Sequence, residues 1–274
     1  MSPHGAAPSA RATAPDTFPD TAFAMTTEPL EPDVPPVPTD LAAFRRLSVP
    51  LCQGHRLFNK VFGIGANKTG TSTLQAVFSI LGLDVAPQQP GELAGLAAYR
   101  GRFEPLVDYI RRHDAFQDAP FSIKSTYAQV DALFPGSRFI LTHRPAEEWF
   151  ESLLQFHRKI FGCRPDQARP QPEQVQRFHY LFEGYLAVMA EANWLLDVRG
   201  PDLSLSRDWS LNYDPAHYMA RYEQRNAEIV RHFSERPDDL LVIDLTRETD
   251  TTRIVDFLGL PRALVTAMPH LNKT

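Results

Sequence analysis

One short stretch of this chain gathers a lysine, two glycines and a run of hydroxyl side chains: Gly65-Ala66-Asn67-Lys68-Thr69-Gly70-Thr71-Ser72-Thr73. The apolar run 61–64 precedes it and Leu74-Gln75-Ala76-Val77-Phe78 follows, which is the context of strand, glycine-bearing turn and helix. A turn of that kind aims backbone N–H groups and the positive end of a helix dipole at one point. Lys68 adds a mobile cation, and Thr71, Ser72 and Thr73 add hydroxyl donors. The ligand that suits this chemistry is a phosphate or a phosphate-like group, with Asn67 and Thr69 in the same loop. A helix start capped by its own hydroxyls explains the Thr-Ser-Thr run, but not the lysine, the glycines and the preceding strand together.

Residue order narrows the phosphate chemistry. A Walker A loop reads GxxxxGK[ST], with the lysine directly after the second glycine. Gly65 and Gly70 have that spacing, but Thr71 follows Gly70 and the lysine stands two residues before it. A lysine so placed meets the anion from another side.

A second constellation lies further along. Arg138-Phe139-Ile140-Leu141-Thr142-His143-Arg144 is a short apolar strand ending in a cation. Pro145-Ala146-Glu147-Glu148 then opens a helix, with proline at its start and acids in its first turn. Arg144 stands at the carboxyl end of the strand, where open α/β sheets hold ligands. Ser152, about two helical turns on, can share an anion with it.

These motifs resemble those of the sulfotransferases, whose 5′-phosphosulfate loop reads KxG[ST][ST] and whose 3′-phosphate site pairs an Arg and a Ser at the spacing of Arg144 and Ser152. The ending Asp239-Leu240-Leu241-Val242-Ile243-Asp244, the Phe257-Leu258-Gly259 helix and the terminal Pro269-His270-Leu271-Asn272-Lys273 are similar to those of bacterial members. The resemblance runs from about residue 58 to 274. It implies a P-loop-type three-layer α/β/α sandwich with a mostly parallel central sheet and helical insertions. Strands are expected near 61–64, 115–118, 139–142 and 240–243, with helical excursions over 93–112 and 173–233. The stretches 173–197 and 215–233 read as two long helices. Tyr180, Phe182, Tyr185, Met189 and Trp194 are expected in the core, with some of them able to line an acceptor pocket.

The resemblance also implies 3′-phosphoadenylyl sulfate (PAPS) as co-substrate, PAP as product and no required metal. The acceptor stays open among small molecules, glycans, lipids and peptides carrying a hydroxyl or amine. Asn67, Lys68, Thr69, Gly70, Thr71, Ser72, Thr73, Arg144 and Ser152 would bind the donor. Lys68 would stabilise charge on the bridging oxygen. Animal enzymes of this type take the acceptor's proton with a His in a KTH-like pattern. This chain reads Phe121-Ser122-Ile123-Lys124-Ser125-Thr126 there and has none. Asp118, in a DxPF-like segment similar to that of bacterial members, is the expected base, with Lys124 as a lower-ranked electrostatic partner and His157 next in line. The animal Trp that stacks on adenine is replaced by Thr73, and no RKG-like loop is visible. Asn272 and Lys273 are left as partial stand-ins.

Composition fits one α/β enzyme domain over 41–274, with 43% hydrophobic and 22% charged residues. The first forty residues hold nine of the 24 prolines and six acids against one Arg, and read as a disordered acidic tail. The tail lacks the features of a signal peptide, and no run is long enough to span a membrane, so a cytoplasmic location follows by default. Cys52 and Cys163 do not make a disulfide framework, and no metal-ligand spacing or nucleic-acid-type basic block is present. The oligomeric state is not legible. Two rivals remain: a P-loop kinase, with Asp244 as its Walker B acid, and a nucleotide-binding protein without turnover.

Overall fold

The computed structural model describes residues 34–199 and 204–269. In chain order the strands are β1 (Val61–Gly63), β2 (Ala115–Phe116), β3 (Arg138–Thr142), β4 (Leu196–Arg199), β5 (Ser204–Arg207) and β6 (Leu240–Ile243). The α-helices are α1 (Leu41–His55), α2 (Thr71–Ile80), α3 (Gln88–Tyr99), α4 (Glu104–Arg111), α5 (Thr126–Leu133), α6 (Ala146–Ile160), α7 (Pro172–Arg177), α8 (Tyr185–Ala190), α9 (Pro215–His232) and α10 (Thr252–Phe257). The central sheet runs β2-β1-β3-β6 with every neighbouring pair parallel. β4 and β5 form a separate antiparallel hairpin.

Alternation along the strands explains why helices cover both faces. Val61, Ala115, Ile140 and Ile243 point to one side, where Leu74, Val77 and Phe78 of α2 and Ile254 and Val255 of α10 pack on them. Phe62, Phe116 and Phe139 are register partners on the other side. Their rings stack at 4.9 and 5.4 Å, and Ile110 of α4, Val130 of α5 and Ile229 of α9 close over them. The result is the expected α/β architecture with a parallel sheet between helical layers.

Two local expectations are corrected, and a third is resolved into its parts. The strand expected over 115–118 ends at Phe116. Asp118 takes a left-handed backbone (φ 59°), and its Oδ1 accepts the next residue's N–H at 2.8 Å. Pro120 lacks an N–H, so the ladder could not have continued far. The helix expected over 173–197 is broken into α7, a turn at residues 178–184, α8 and a π-helical turn (Glu191–Leu195), and then becomes β4. Gly184 at φ 84° marks the break. The excursion over 93–112 is two helices, α3 and α4, parted at Gly101 (φ 81°).

Two contacts precede the boundary expected at residue 40. Val34 packs against the α2 side of the core, and the Pro35 carbonyl accepts the Ala267 N–H at 2.7 Å. Asp40 then caps α1 through Ala43 N–H. The rest of the expected tail, residues 1–33, lies outside the described residues, as do Asn272 and Lys273.

Candidate active site

The loop after β1 turns back sharply against β3. A Cβ on Gly65 would fall within 2.1–2.8 Å of Thr142 atoms, so only glycine permits that approach. Thr69 is wholly buried, and its hydroxyl donates to the Ala66 carbonyl and shares a 2.6 Å bond with the Thr142 hydroxyl. Thr69 therefore shapes the loop from within. Gly70, at φ 97°, is the N-cap of α2 and brings no side chain to cap it. The first-turn N–H groups of α2 accordingly lack a side-chain partner at the N-cap. Thr71 and Thr73 are buried and Ser72 is exposed.

Arg144 comes to this loop from the end of β3. Its Nη1 lies 3.4 Å from the Lys68 carbonyl, its Nη2 lies 3.8 Å from Glu148, and its Nε is buried without a hydrogen-bond partner. Tyr222 of α9 fixes the Arg144 backbone by accepting its N–H at 3.0 Å, and the Tyr222 ring stacks on Trp149 at 4.2 Å. Trp149 Nε1–H donates to the Asn67 carbonyl at 3.0 Å. Tyr222 and Trp149 thus hold the Arg144 and Asn67 backbones in fixed relation. Ser152 occupies the α6 stripe between Glu148, which reaches Arg144, and Phe156, whose ring lies 4.3 Å from Lys68 Nζ. The two anion positions read from the sequence therefore lie side by side.

Lys68 adopts φ 69° and is half-buried. Burial lowers its pKa from the usual 10.5, Asp118 opposes that, and Arg144 lowers it further. Asp118 accepts from Ala119 N–H and Ser122 Oγ–H (3.3 Å) on Oδ1, and from Thr71 Oγ–H (3.1 Å) on Oδ2. Part of its surface stays open, yet protein packs closely enough around the carboxyl that burial raises its pKa above 3.8; those three donors and Lys68 pull the other way. Oδ2, holding one donor, keeps acceptor capacity.

A cavity of about 740 Å³ opens beside this corner. Asn67, Thr71, Ser72, Asp118 and Lys124 line its sheet side, and Phe156, His157, Tyr180, Tyr185, Trp194 and Tyr213 line its helical side. Of the five residues expected in the core only Tyr185 is buried; Phe182, Met189 and Trp194 are half-buried and Tyr180 is exposed. All but Phe182 line the cavity, whose opening keeps them from full burial. Burial lowers the Lys124 pKa, with Arg221 acting the same way and Asp197 opposing. His157 Nδ1 lies 2.8 Å from the Tyr213 hydroxyl, and burial, aided by Lys68, pushes its pKa down to about 4.

Some members of the site had no sequence signal. Arg225 of α9 donates to the carbonyls of Ile64 (2.9 Å), Lys124 (3.0 Å) and Phe121 (3.2 Å), bracing the lysine loop against the Asp118 loop. Burial lowers its pKa to about 10. Phe156 was recoverable in principle, since it follows Ser152 by one helical turn. Asp244, the rival Walker B acid, lies past β6, which neighbours β3 rather than β1. Its carboxylate is engaged by Thr246 and Arg247.

The chain is an α/β protein in which a glycine-bearing loop, a helix start without a side-chain cap and a guanidinium meet at one strand–loop–helix corner beside a parallel sheet. Residues 60–274 match the sulfotransferase domain family, and the chain belongs to that family. Its activity is accordingly that of a transferase moving sulfuryl groups. No curated protein matches the chain. Among the described residues no cluster of His, Cys, Asp or Glu could hold a metal ion, and no helix is long and apolar enough to cross a membrane.

Proposed function

We propose that this protein transfers the sulfuryl group of PAPS to a hydroxyl or amine of an acceptor held in the cavity. The observation that carries the donor assignment is the buried, unpartnered Arg144 Nε beside the Lys68 carbonyl and the α2 start. An unpaired buried guanidinium donor is costly unless an anion completes it. A nucleotide with phosphates at both 5′ and 3′ positions meets Lys68, Thr71, Ser72 and Thr73 with one group, and Arg144 and Ser152 with the other. PAPS supplies an activated sulfuryl group on a nucleotide leaving group.

The chain's own residues divide the remaining work. The cavity wall aligns the acceptor oxygen or nitrogen with the bond to be broken. Asp118 takes the acceptor's proton on Oδ2, its raised pKa bringing its basicity closer to the task. Lys68 and the α2 N–H groups stabilise the negative charge left on the bridging oxygen. Lys124, on the same wall, adds positive potential.

The test is a transfer assay with labelled PAPS and a metabolite extract, comparing wild type with Asp118→Asn. The variant should lose about 10²-fold or more in turnover while binding PAP as before. Near-normal turnover would move the base to His157, whose imidazole lines the same cavity and is neutral above its lowered pKa. Absence of transfer by wild type, with PAP bound, would favour a nucleotide-binding protein without turnover.

A further inference from the structure

The carboxyl of Glu92 is the unexplained group in the cavity. Glu92 is 92% buried on α3 and lines the cavity, yet the mechanism makes no use of it. Its Oε1 accepts from Gln88 Nε2 at 3.0 Å, and the same amide nitrogen donates to the Ala119 carbonyl at 3.1 Å, beside Asp118. Its Oε2 is buried and has no partner at ordinary hydrogen-bond geometry, while the Tyr180 hydroxyl acts on the carboxyl as a hydrogen-bond donor. Burial raises the Glu92 pKa, and the charge that acts on it is that of Asp118, also negative. Of the basic residues of the cavity, Arg221 Nη2 donates to the Leu196 carbonyl and Arg225 to the three carbonyls already named, while Lys124 also lines the wall.

The backbone holds Glu92 in this position. A Cβ on Gly95 would lie 2.3 Å from Pro120 Cβ, and one on Gly91 would lie 2.6 Å from the Tyr109 hydroxyl. These two glycines let α3 press against the Asp118 loop and α4. The Tyr109 hydroxyl donates to the Pro87 carbonyl at 2.8 Å and anchors the start of the helix. Beside Glu92, Tyr180 and Tyr185 lie with ring centroids 5.7 Å apart and both line the cavity. A carboxylate with a vacant acceptor, a second negative charge close by and two aromatic rings make a site for a positively charged hydrogen-bond donor. The cavity volume is that of a small organic ligand.

We propose that Glu92, with Tyr180 and Tyr185, recognises an ammonium group on the acceptor, so that the acceptor class is an aromatic or apolar hydroxyl compound bearing a cationic amine. This rests on the reading of the cavity as the acceptor site. The ammonium satisfies Oε2 and balances the paired carboxylates, while Phe156, Phe161 and Trp194 enclose the acceptor's body.

The test uses tyramine and its uncharged isostere 4-propylphenol as probes, titrated into the full chain saturated with PAP at pH 7. Tyramine should bind at least 10-fold more tightly than 4-propylphenol. Glu92→Gln, which keeps the shape and removes the charge, should abolish that preference by weakening tyramine alone. Equal affinity for the two probes in wild type, or a preference that survives Glu92→Gln, would overturn the proposal. PAP affinity, measured in the same series, reports separately on the donor site, so a failure of the ammonium site and a failure of the sulfotransfer reading give different results.

Discussion

The two sides of the cavity are built by different physics. On the sheet side, ligand-facing groups are set by the backbone: a loop pressed onto Thr142 at Gly65, the start of α2, and left-handed Lys68 and Asp118. On the helical side, α6 to α9 present aromatic rings that stack on one another, as Trp194 does on Tyr218 at 4.8 Å. The first side is a fixed electrostatic device. The second is a packed surface whose specificity lies in particular side chains. On the proposed reading, donor recognition and charge stabilisation belong to the first, and acceptor choice to the second together with Glu92 of α3. Substitutions on the sheet side should therefore act on turnover or donor affinity, and those on the helical side on which acceptor is taken.

The largest effect expected from this contrast is on Lys68. Lys68→Ala should lower kcat by about 10²–10³-fold, the loss typical for one group aimed at developing charge, with a smaller change in donor affinity. Stopped-flow turnover with parallel PAP titrations measures both; weaker donor binding at unchanged kcat would make Lys68 a positioning residue. Next is the brace that joins the two sides. Arg225→Met leaves the carbonyls of Ile64, Phe121 and Lys124 without their donor. It should cost on the order of 3 kcal/mol, a fall in Tm of about 6–12 °C, and an unchanged melting curve would show that the loops hold themselves.

The pH profile sharpens the sheet-side account. Asp118 must be ionised to accept a proton, and its pKa is raised, so kcat should fall with acidification at a pH above the ordinary aspartate value of 3.8. Lys68 must be charged, and its pKa is lowered, so the alkaline limb should lie below 10.5. Lys68→Arg should move the alkaline limb upward and leave the acid limb in place; two unmoved limbs would detach Lys68 from the profile. The smallest effect concerns the margin of the fold. A chain beginning at Asp40 loses the Val34 and Pro35 contacts that one beginning at Val34 keeps. It should melt about 2–4 °C lower, as the loss of roughly 1 kcal/mol implies, and equal melting temperatures would mean those contacts add nothing.

Legibility in the sequence followed the same division. Glycine spacing, a lysine before a hydroxyl run and an Arg–Ser pair after a strand are local signals, and Arg144 does reach the Lys68 carbonyl. The parallel strands were visible as apolar runs, except where Asp118 ended β2 by capping the following N–H. The helical wall was far less legible. A run of aromatics between residues 178 and 194 reads as helix by period, but Gly184 interrupts it and the chain turns into the β4–β5 hairpin. Glu92 and Arg225 carried no motif. Their roles arise from close approaches, at Gly95 to Pro120 and from α9 to three carbonyls, that tertiary packing alone creates.

The central claim is that the sheet-side corner holds two anionic groups of one nucleotide, and calorimetry of the full chain with PAP, AMP and magnesium-ATP tests it directly. The account predicts that PAP binds more tightly than AMP by about 1.5–3 kcal/mol, the worth of charge-assisted contacts to the second phosphate, or roughly 10- to 150-fold in Kd. Arg144→Ala should erase that difference, and magnesium-ATP should bind more weakly than PAP. Equal affinity for AMP and PAP, or tightest binding of magnesium-ATP, would contradict it.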